Sequence, residues 1–153
     1  IMLHDMLRRI LRNMDLSENE IDESIYDAML LSVDVAHALH PNKKEKMDIT
    51  NKPVMGKGFC IKQACSQSYA TDAQAIAILC QLCDEKGIPY QRFVNRSDSR
   101  GGSTLGSIAG TLLPVKTVDI GIPILAMHSA CELMGVRDMK ALSDCVTAFF
   151  GYH

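Results

Sequence analysis

Asp34 sits near the end of an otherwise apolar run, Leu31-Ser32-Val33-Asp34-Val35-Ala36, that has the pattern of a buried strand over Leu30 to Ala36. A carboxylate there is costly to bury unless a cation or a set of hydrogen bonds compensates it. Strand ends in α/β sheets are also where ligand crevices form. Asp34 is therefore a candidate metal ligand or catalytic group, set against a capped, hydrogen-bonded structural aspartate. His37 and His40 follow at three-residue intervals, so D-x-x-H-x-x-H resembles one compact metal site. Geometry opposes that: on a continuing strand, positions three apart point to opposite faces and do not converge on one ion. At least one of the two histidines is expected to orient a neighbour or hold the following loop.

His128 ends a second short apolar run, Ile124-Leu125-Ala126-Met127. Alone it has the marks of a satisfied core histidine; with Asp34 as partner it completes an oxygen and nitrogen donor pair of the kind Zn²⁺ takes. The loop Arg96 to Thr104 combines two glycines, several hydroxyls and a helix start, an arrangement that presents backbone N–H groups to an anion or simply makes a turn. No Lys follows the glycines, so it does not fit a nucleotide-binding P-loop. Cys80 and Cys83 form a lone C-x-x-C inside a helical pattern, with no second pair or nearby His to complete four ligands. They are expected to serve an apolar helix face, and all six cysteines are expected to be buried thiols.

The elements that would position these residues alternate between the two periods. Leu3, Met6, Leu7, Ile10, Leu11 and Met14 recur at helical spacing without a preceding cap, as in a segment cut from something longer. Ser17 with Glu20 makes a capping box for a second helix through Ile21, Ile25 and Met29. His40 to Gly58 is polar and aperiodic, a long surface loop. Strands are expected at Phe59 to Ala64, Ile88 to Asn95, Val115 to Ile120 and, briefly, Ile124 to Met127. A helix opened by Thr71 and Gln74 runs to Gly87, a glycine suited to a left-handed cap. A short helix ends near Leu113, and a closing helix spans Cys131 to Phe150 with a break around Gly135. Alternation of this kind predicts an α/β fold, a sheet covered by helices on both faces.

The chain of 153 residues, 47% of them apolar, has the material for one core. Sixteen basic and 18 acidic residues nearly cancel and form no long block, so neither nucleic acid nor an anionic membrane is an expected partner. No stretch approaches the roughly 20 apolar residues of a membrane span, and no signal-peptide order opens the chain. A soluble, cytoplasmic protein is expected.

Four segments in series, Ser32 to Asn42 (SVDVAHALHPN), Ile61 to Asp72 (IKQACSQSYATD), Arg96 to Gly106 (RSDSRGGSTLG) and Val118 to Glu132 (VDIGIPILAMHSACE), resemble the M18 family of aspartyl aminopeptidases. The resemblance implies part of a three-layer helix/sheet/helix zinc-peptidase-like domain with a mixed sheet. In such enzymes two zinc ions activate a water that attacks the first peptide bond. One ion polarises the carbonyl while both lower the pKa of the water. Carried over by motif, Asp34 binds one zinc and His128 the other. Lys62 and Tyr69 line the substrate pocket, where a cation and a phenol hydroxyl suit an acidic N-terminal side chain of a peptide. His37 and His40 stand as possible supports around the metal. A large homo-oligomer, a dodecamer, is also implied.

The family's early His, bridging Asp and adjacent Glu-Glu pair have no match in this sequence, which contains no Glu-Glu and whose His4 lies in a helical pattern. Residues 1–153 are thus expected to be the C-terminal portion of the catalytic domain, separated from the general base, the remaining ligands and an inserted dimerisation domain, and inactive alone. Met47 and Asn51 stand where loop histidines are common in the family, Arg100-Gly101 replaces Pro-Cys, and Ser68 replaces an Arg. Two alternatives belong to other classes: a non-catalytic metal-binding or assembly remnant of the same fold, and a nucleotide-binding α/β domain.

Overall fold

The computed structural model describes residues 2–99 and 101–151. Two helices, α1 (Met2–Asn13) and α2 (Glu18–Asp27), precede strand β1 (Met29–His37). The capping box holds: the Ser17 hydroxyl accepts from the Glu20 amide, and the Glu20 carboxylate accepts from the Ser17 amide at 2.8 Å. Helix α2 stops at Asp27, and Met29 begins β1 instead of extending the helix. Leu7 and Leu11 of α1 pack toward Ile21, Ile25 and Leu113, while Met2, Met6, Ile10 and Met14 are exposed.

After the loop come β2 (Phe59–Gln63), α3 (Ala73–Lys86), β3 (Tyr90–Val94), α4 (Leu105–Leu112), β4 (Lys116–Leu125), β5 (Leu133–Met134) and α5 (Val136–Phe150). The sheet order is β1-β4-β2-β3, with β5 paired to the end of β4. Strands β1 and β4 run parallel, as do β2 and β3, and β2 meets β4 antiparallel, so the sheet is mixed. Phe59, Ile61, Val118, Ile120, Ile122 and Ile124 pack with Leu79, Leu82 and Cys83 of α3 and Ala141, Leu142 and Cys145 of α5. Each large apolar side chain buried there contributes about 1.5–3 kcal/mol before conformational entropy is subtracted. Helix α4 lies near β1 and β4, with Gly106 set closely against Ser32 and Asp119.

Four expectations need correction. The two short strands expected at 115–120 and 124–127 are one ten-residue strand, β4. Strand β1 pairs with it without a break from Lys116 to Ile124, and Pro123, in register with Ala36 of β1, falls on the other side between the β2 ladder, which ends at Gly121, and the β5 pairing, which begins at Ile124. Asp72, not Thr71, caps α3, its side chain accepting from the Ala75 amide at 2.8 Å. Thr71 instead accepts from the Ala64 amide and bridges to Val118. Helix α5 begins only at Val136, because Leu133 and Met134 are drawn into β5. Finally, Cys60, Cys83 and Cys145 are buried, but Cys65 and Cys131 lie in turns and are exposed.

The 38–58 loop, with one 3-10 turn at Lys44–Lys46, is tied down by polar contacts as well as by the buried side chains of Met47 and Pro53. Buried Asp138, in the first turn of α5, accepts from the Gly56 amide at 2.6 Å and the Gly58 amide at 2.7 Å. Gly58 has φ +102°, and a Cβ there would lie 2.1 Å from the Pro89 carbonyl oxygen, so only glycine fits. Gly87 ends α3 in the left-handed conformation, φ 65°, as its position suggested.

Candidate metal centre and substrate crevice

Asp34 lies within β1, three residues before its end, in register with Gly121 of β4, which is in turn opposite Cys60 of β2. The neighbouring row is Ser32, Asp119, Lys62 and Phe93. Strand β4 therefore separates Lys62 from Asp34. Gly121 presents no side chain between them, and a Cβ there would come within 2.7 Å of the Val35 carbonyl carbon. Across this gap the Lys62 ammonium donates to Asp34 Oδ2 at 3.1 Å and to the Val35 carbonyl at 3.0 Å. The Lys62 side chain is 4% exposed and that of Asp34 48%. A buried ammonium is tolerable only when compensated. Here Asp34, the Val35 carbonyl and the Tyr69 ring, whose centroid is 4.7 Å from Nζ, compensate it.

Burial works against the charged form of Asp34. The Val35 amide, the Lys62 ammonium and nearby His128 outweigh it and hold the carboxyl below its ordinary range. His37 is pushed below the usual histidine value, first by burial and then by the positive neighbours His128 and Lys62, which favours the neutral imidazole.

Asp34, His37, Lys62, Tyr69, Thr104 and His128 line one crevice of about 170 Å³. The two proposed zinc ligands are thus brought together although 94 positions separate them in sequence (128 − 34). His128 arrives from the turn after β4. Its own φ is +68° and that of Ala126 is +56°, a left-handed pair of non-glycine residues that costs energy and is the kind of strain found at functional sites. The Glu132 carboxylate accepts from the His128 amide at 2.6 Å, and Ser129 closes the turn onto the Ala126 carbonyl.

His40 does not reach the crevice. Its Nδ1 accepts from the Asn42 amide at 3.1 Å, a contact that shapes the loop, and it faces a larger neighbouring cavity of about 430 Å³ that shares His37, Tyr69, Phe93 and Gly102 with the crevice. The glycine loop is dominated by turn contacts: Arg96 Nε donates to Asp98 at 2.8 Å, and the Ser99 amide to the Arg96 carbonyl. Arg100 lies outside the described residues. Of the C-x-x-C pair, Cys83 packs 3.8 Å from Cys145, and Cys80 lies by Arg92.

Sequence reasoning missed Asp119. It is fully buried in β4, and its Oδ2 accepts from both Thr104 Oγ1 at 2.6 Å and the Ala70 amide at 2.5 Å. The signal was present, since Val118-Asp119-Ile120 places a carboxylate in an apolar run just as Asp34 does. It also missed Asn95, whose Nδ2 donates to the Tyr69 hydroxyl at 3.0 Å.

The crevice donors, a carboxylate oxygen and imidazole nitrogens, are of the chemical type zinc takes. Among the described residues, however, no group of three or more His, Cys, Asp or Glu side chains is placed to hold a metal ion. Asp34 and His128 are of the donor types that part of a zinc site would use.

The sequence pattern described as Aminopeptidase I zinc metalloprotease (M18) matches residues 1–150. A relative in Clostridium novyi, named probable M18 family aminopeptidase 2, is 47% identical over 137 residues, covering 90% of this chain and 32% of the relative. A chain in the cryo-EM structure of the Ape4 and Nbr1 complex superposes with a TM-score of 0.91 at 34% identity, covering 97% of this chain and 28% of that one. The S. cerevisiae mApe1 dodecamer structure matches with a TM-score of 0.76 at 25% identity, over 86% of this chain and 28% of the other. The chain spans about a third of the length of the curated relatives it matches. A family pattern running over nearly every residue, on the mixed α/β fold described above, places this chain in the M18 aminopeptidase I family of zinc metalloproteases.

Proposed function

We propose that these residues form the C-terminal portion of the catalytic domain of a dinuclear zinc aminopeptidase that removes N-terminal residues, Asp or Glu by preference, from peptides. The observation that carries this is the meeting of Asp34 and His128 in one crevice over the buried Lys62 ammonium. In the proposed enzyme Asp34 and His128 each hold one zinc ion, and the remaining ligands and the general base come from outside this segment. Bound zinc would supply Lewis-acid polarisation of the scissile carbonyl and a water acidified toward neutral pH.

The chain's own residues then have separable tasks. Lys62 fixes the orientation of Asp34, and the ammonium and the Val35 amide keep the carboxylate ionised and ready to bind a cation. An ammonium has three N–H donors. Two go to Asp34 and Val35, and the third is available to an acidic substrate side chain. The Tyr69 hydroxyl accepts from Asn95, which leaves its own O–H to donate to the same carboxylate. His37, held toward its neutral form, adds no positive charge at the crevice wall. Assembly into a homo-oligomer is part of the proposal, supported by the dodecamer named for the similar yeast protein.

The test is to assay the full-length protein and residues 1–153 side by side, with zinc, on chromogenic Asp, Glu and Leu substrates. The full-length protein is expected to turn over the acidic substrates in a chelator-sensitive way, and the 153-residue segment to be inactive. An Asp34→Asn, His128→Gln double variant is expected to lose bound zinc as well as activity. Full activity in the segment alone would overturn the assignment of the general base to residues outside it. A full-length protein that binds zinc without turnover would favour a non-catalytic metal-binding role.

A further inference from the structure

We propose that Asp119 is a positioning residue that holds the two walls of the crevice, the Ser68–Ala70 segment and Thr104, at a fixed separation. This rests on the aminopeptidase reading but is carried by its own geometry. One oxygen, Oδ2, receives both the Ala70 amide and the Thr104 hydroxyl, at 2.5 and 2.6 Å. The walls also touch directly, the Thr104 amide donating to the Ser68 carbonyl at 3.2 Å. Thr104 is the N-cap of α4, its hydroxyl accepting from the Ser107 amide while donating to Asp119, so one hydroxyl links the sheet, the helix and the crevice.

Ala70 is the chain neighbour of Tyr69, whose ring lies against the Lys62 ammonium that holds Asp34. Asp119 thereby sets the place of the ring on which Lys62 rests without touching the crevice itself. Its other oxygen, Oδ1, has no partner among the described residues. A Cβ on Gly106 would lie 2.7 Å from that oxygen, so α4 packs tightly over it. A fully buried carboxylate with a free oxygen is expensive unless it does something an apolar residue does not. Its register partner across the β2–β4 pair is Lys62, whose ammonium is bonded instead to Asp34 and the Val35 carbonyl.

Because both bonds reach a single oxygen, Asp119→Asn can keep them by placing its amide oxygen at the Oδ2 position, whereas Asp119→Ala keeps neither. In the full-length, zinc-loaded protein, Asp119→Ala is expected to raise KM for acidic substrates about ten- to a hundredfold with kcat changed about threefold or less, and Asp119→Asn to restore most of the loss. Hydrogen exchange supplies a readout independent of activity: the Ala70 amide should exchange much faster in Asp119→Ala, with protection in β4 and α3 unchanged. If Asp119→Ala does not fold, Thr104→Val, which removes one of the two bonds, is expected to move KM and Ala70 exchange in the same direction by less. Unchanged KM in folded Asp119→Ala, or in Thr104→Val where the alanine variant does not fold, with an equally protected Ala70 amide, overturns the proposal. If the wild-type protein shows no aminopeptidase activity, that function fails, and the exchange of Ala70 alone decides the role of Asp119.

Discussion

Lys62 of β2 and Asp34 of β1 form an ion pair, 3.1 Å from Nζ to Oδ2, across an intervening strand that contributes only Gly121 to the gap. The pair joins a buried cation to a half-exposed carboxylate, so the cation depends on the pair more than the carboxylate does. It makes Lys62 both the anchor of a proposed metal ligand and the proposed reader of substrate charge.

Replacing Lys62 by Met in the full-length protein is expected to weaken turnover of acidic N-terminal substrates more than neutral ones. A lost charge-assisted contact to a partly buried carboxylate costs about 1.5–3 kcal/mol, roughly ten- to more than a hundredfold in kcat/KM. Both substrates should also lose somewhat, because Asp34 is no longer held. Steady-state kinetics on matched Asp and Leu substrates check this, and equal losses would mean that Lys62 only orients Asp34.

Asp138 predicts a stability effect far from the crevice. Asp138→Ala strands the Gly56 and Gly58 amides that the carboxylate now accepts. Gly58 is buried and Gly56 exposed, so one buried donor is left unsatisfied at a cost of about 1–3 kcal/mol, and a loss of that size is expected in urea denaturation. Limited proteolysis should meanwhile begin to cut between residues 43 and 57. Wild-type stability together with a protected loop would show that the apolar contacts of Met47 and Pro53 suffice.

The crevice also predicts a pH dependence. For His37 the folded pKa lies below the unfolded value of about 6.5. The unfolded chain then binds more protons in the window between the two, and stability is lost as pH falls through it. Asp34, also depressed, contributes stability above the ordinary carboxylate pKa and loses it as pH falls through its lower folded value. Both push the same way, His37 first. His37→Gln should flatten the fall in unfolding free energy between pH 7 and 5 and leave the steeper loss at lower pH. An unchanged slope would show that His37 carries no such linkage.

Thiol chemistry should separate the cysteines by burial. Burial, reinforced by the charge of Asp138, pushes the Cys60 thiol up to about 12, so almost none is thiolate at neutral pH. Brief alkylation of the native protein followed by mass mapping is expected to label Cys65 and Cys131 and to spare Cys60, Cys83 and Cys145. Early labelling of Cys83 or Cys145 would reveal an opening between α3 and α5.

Local patterns in the sequence determined most of the elements. The capping box at Ser17 and Glu20, the left-handed stop at Gly87 and the apolar runs of β1 and β2 are set by neighbours within a few residues, and they are where the spacing put them. The meeting of Asp34 and His128 was anticipated from the family resemblance and from strand-end placement, since no local rule relates residues so far apart. What tertiary structure alone decided depends on register. That β4 is one strand turned on its unbroken pairing with β1 from Lys116 to Ile124, and whether Lys62 reaches Asp34 turned on which residue of β4 lies between them. Asp119 looked like Asp34 in sequence, each a carboxylate in an apolar strand. The sheet made them different: β1, at the edge of the described strands, leaves Asp34 half open to the crevice, while β4, flanked on both sides and covered by α4, closes over Asp119. A pattern of residues records that a charge lies in a strand; only the neighbours of that strand determine whether water reaches it.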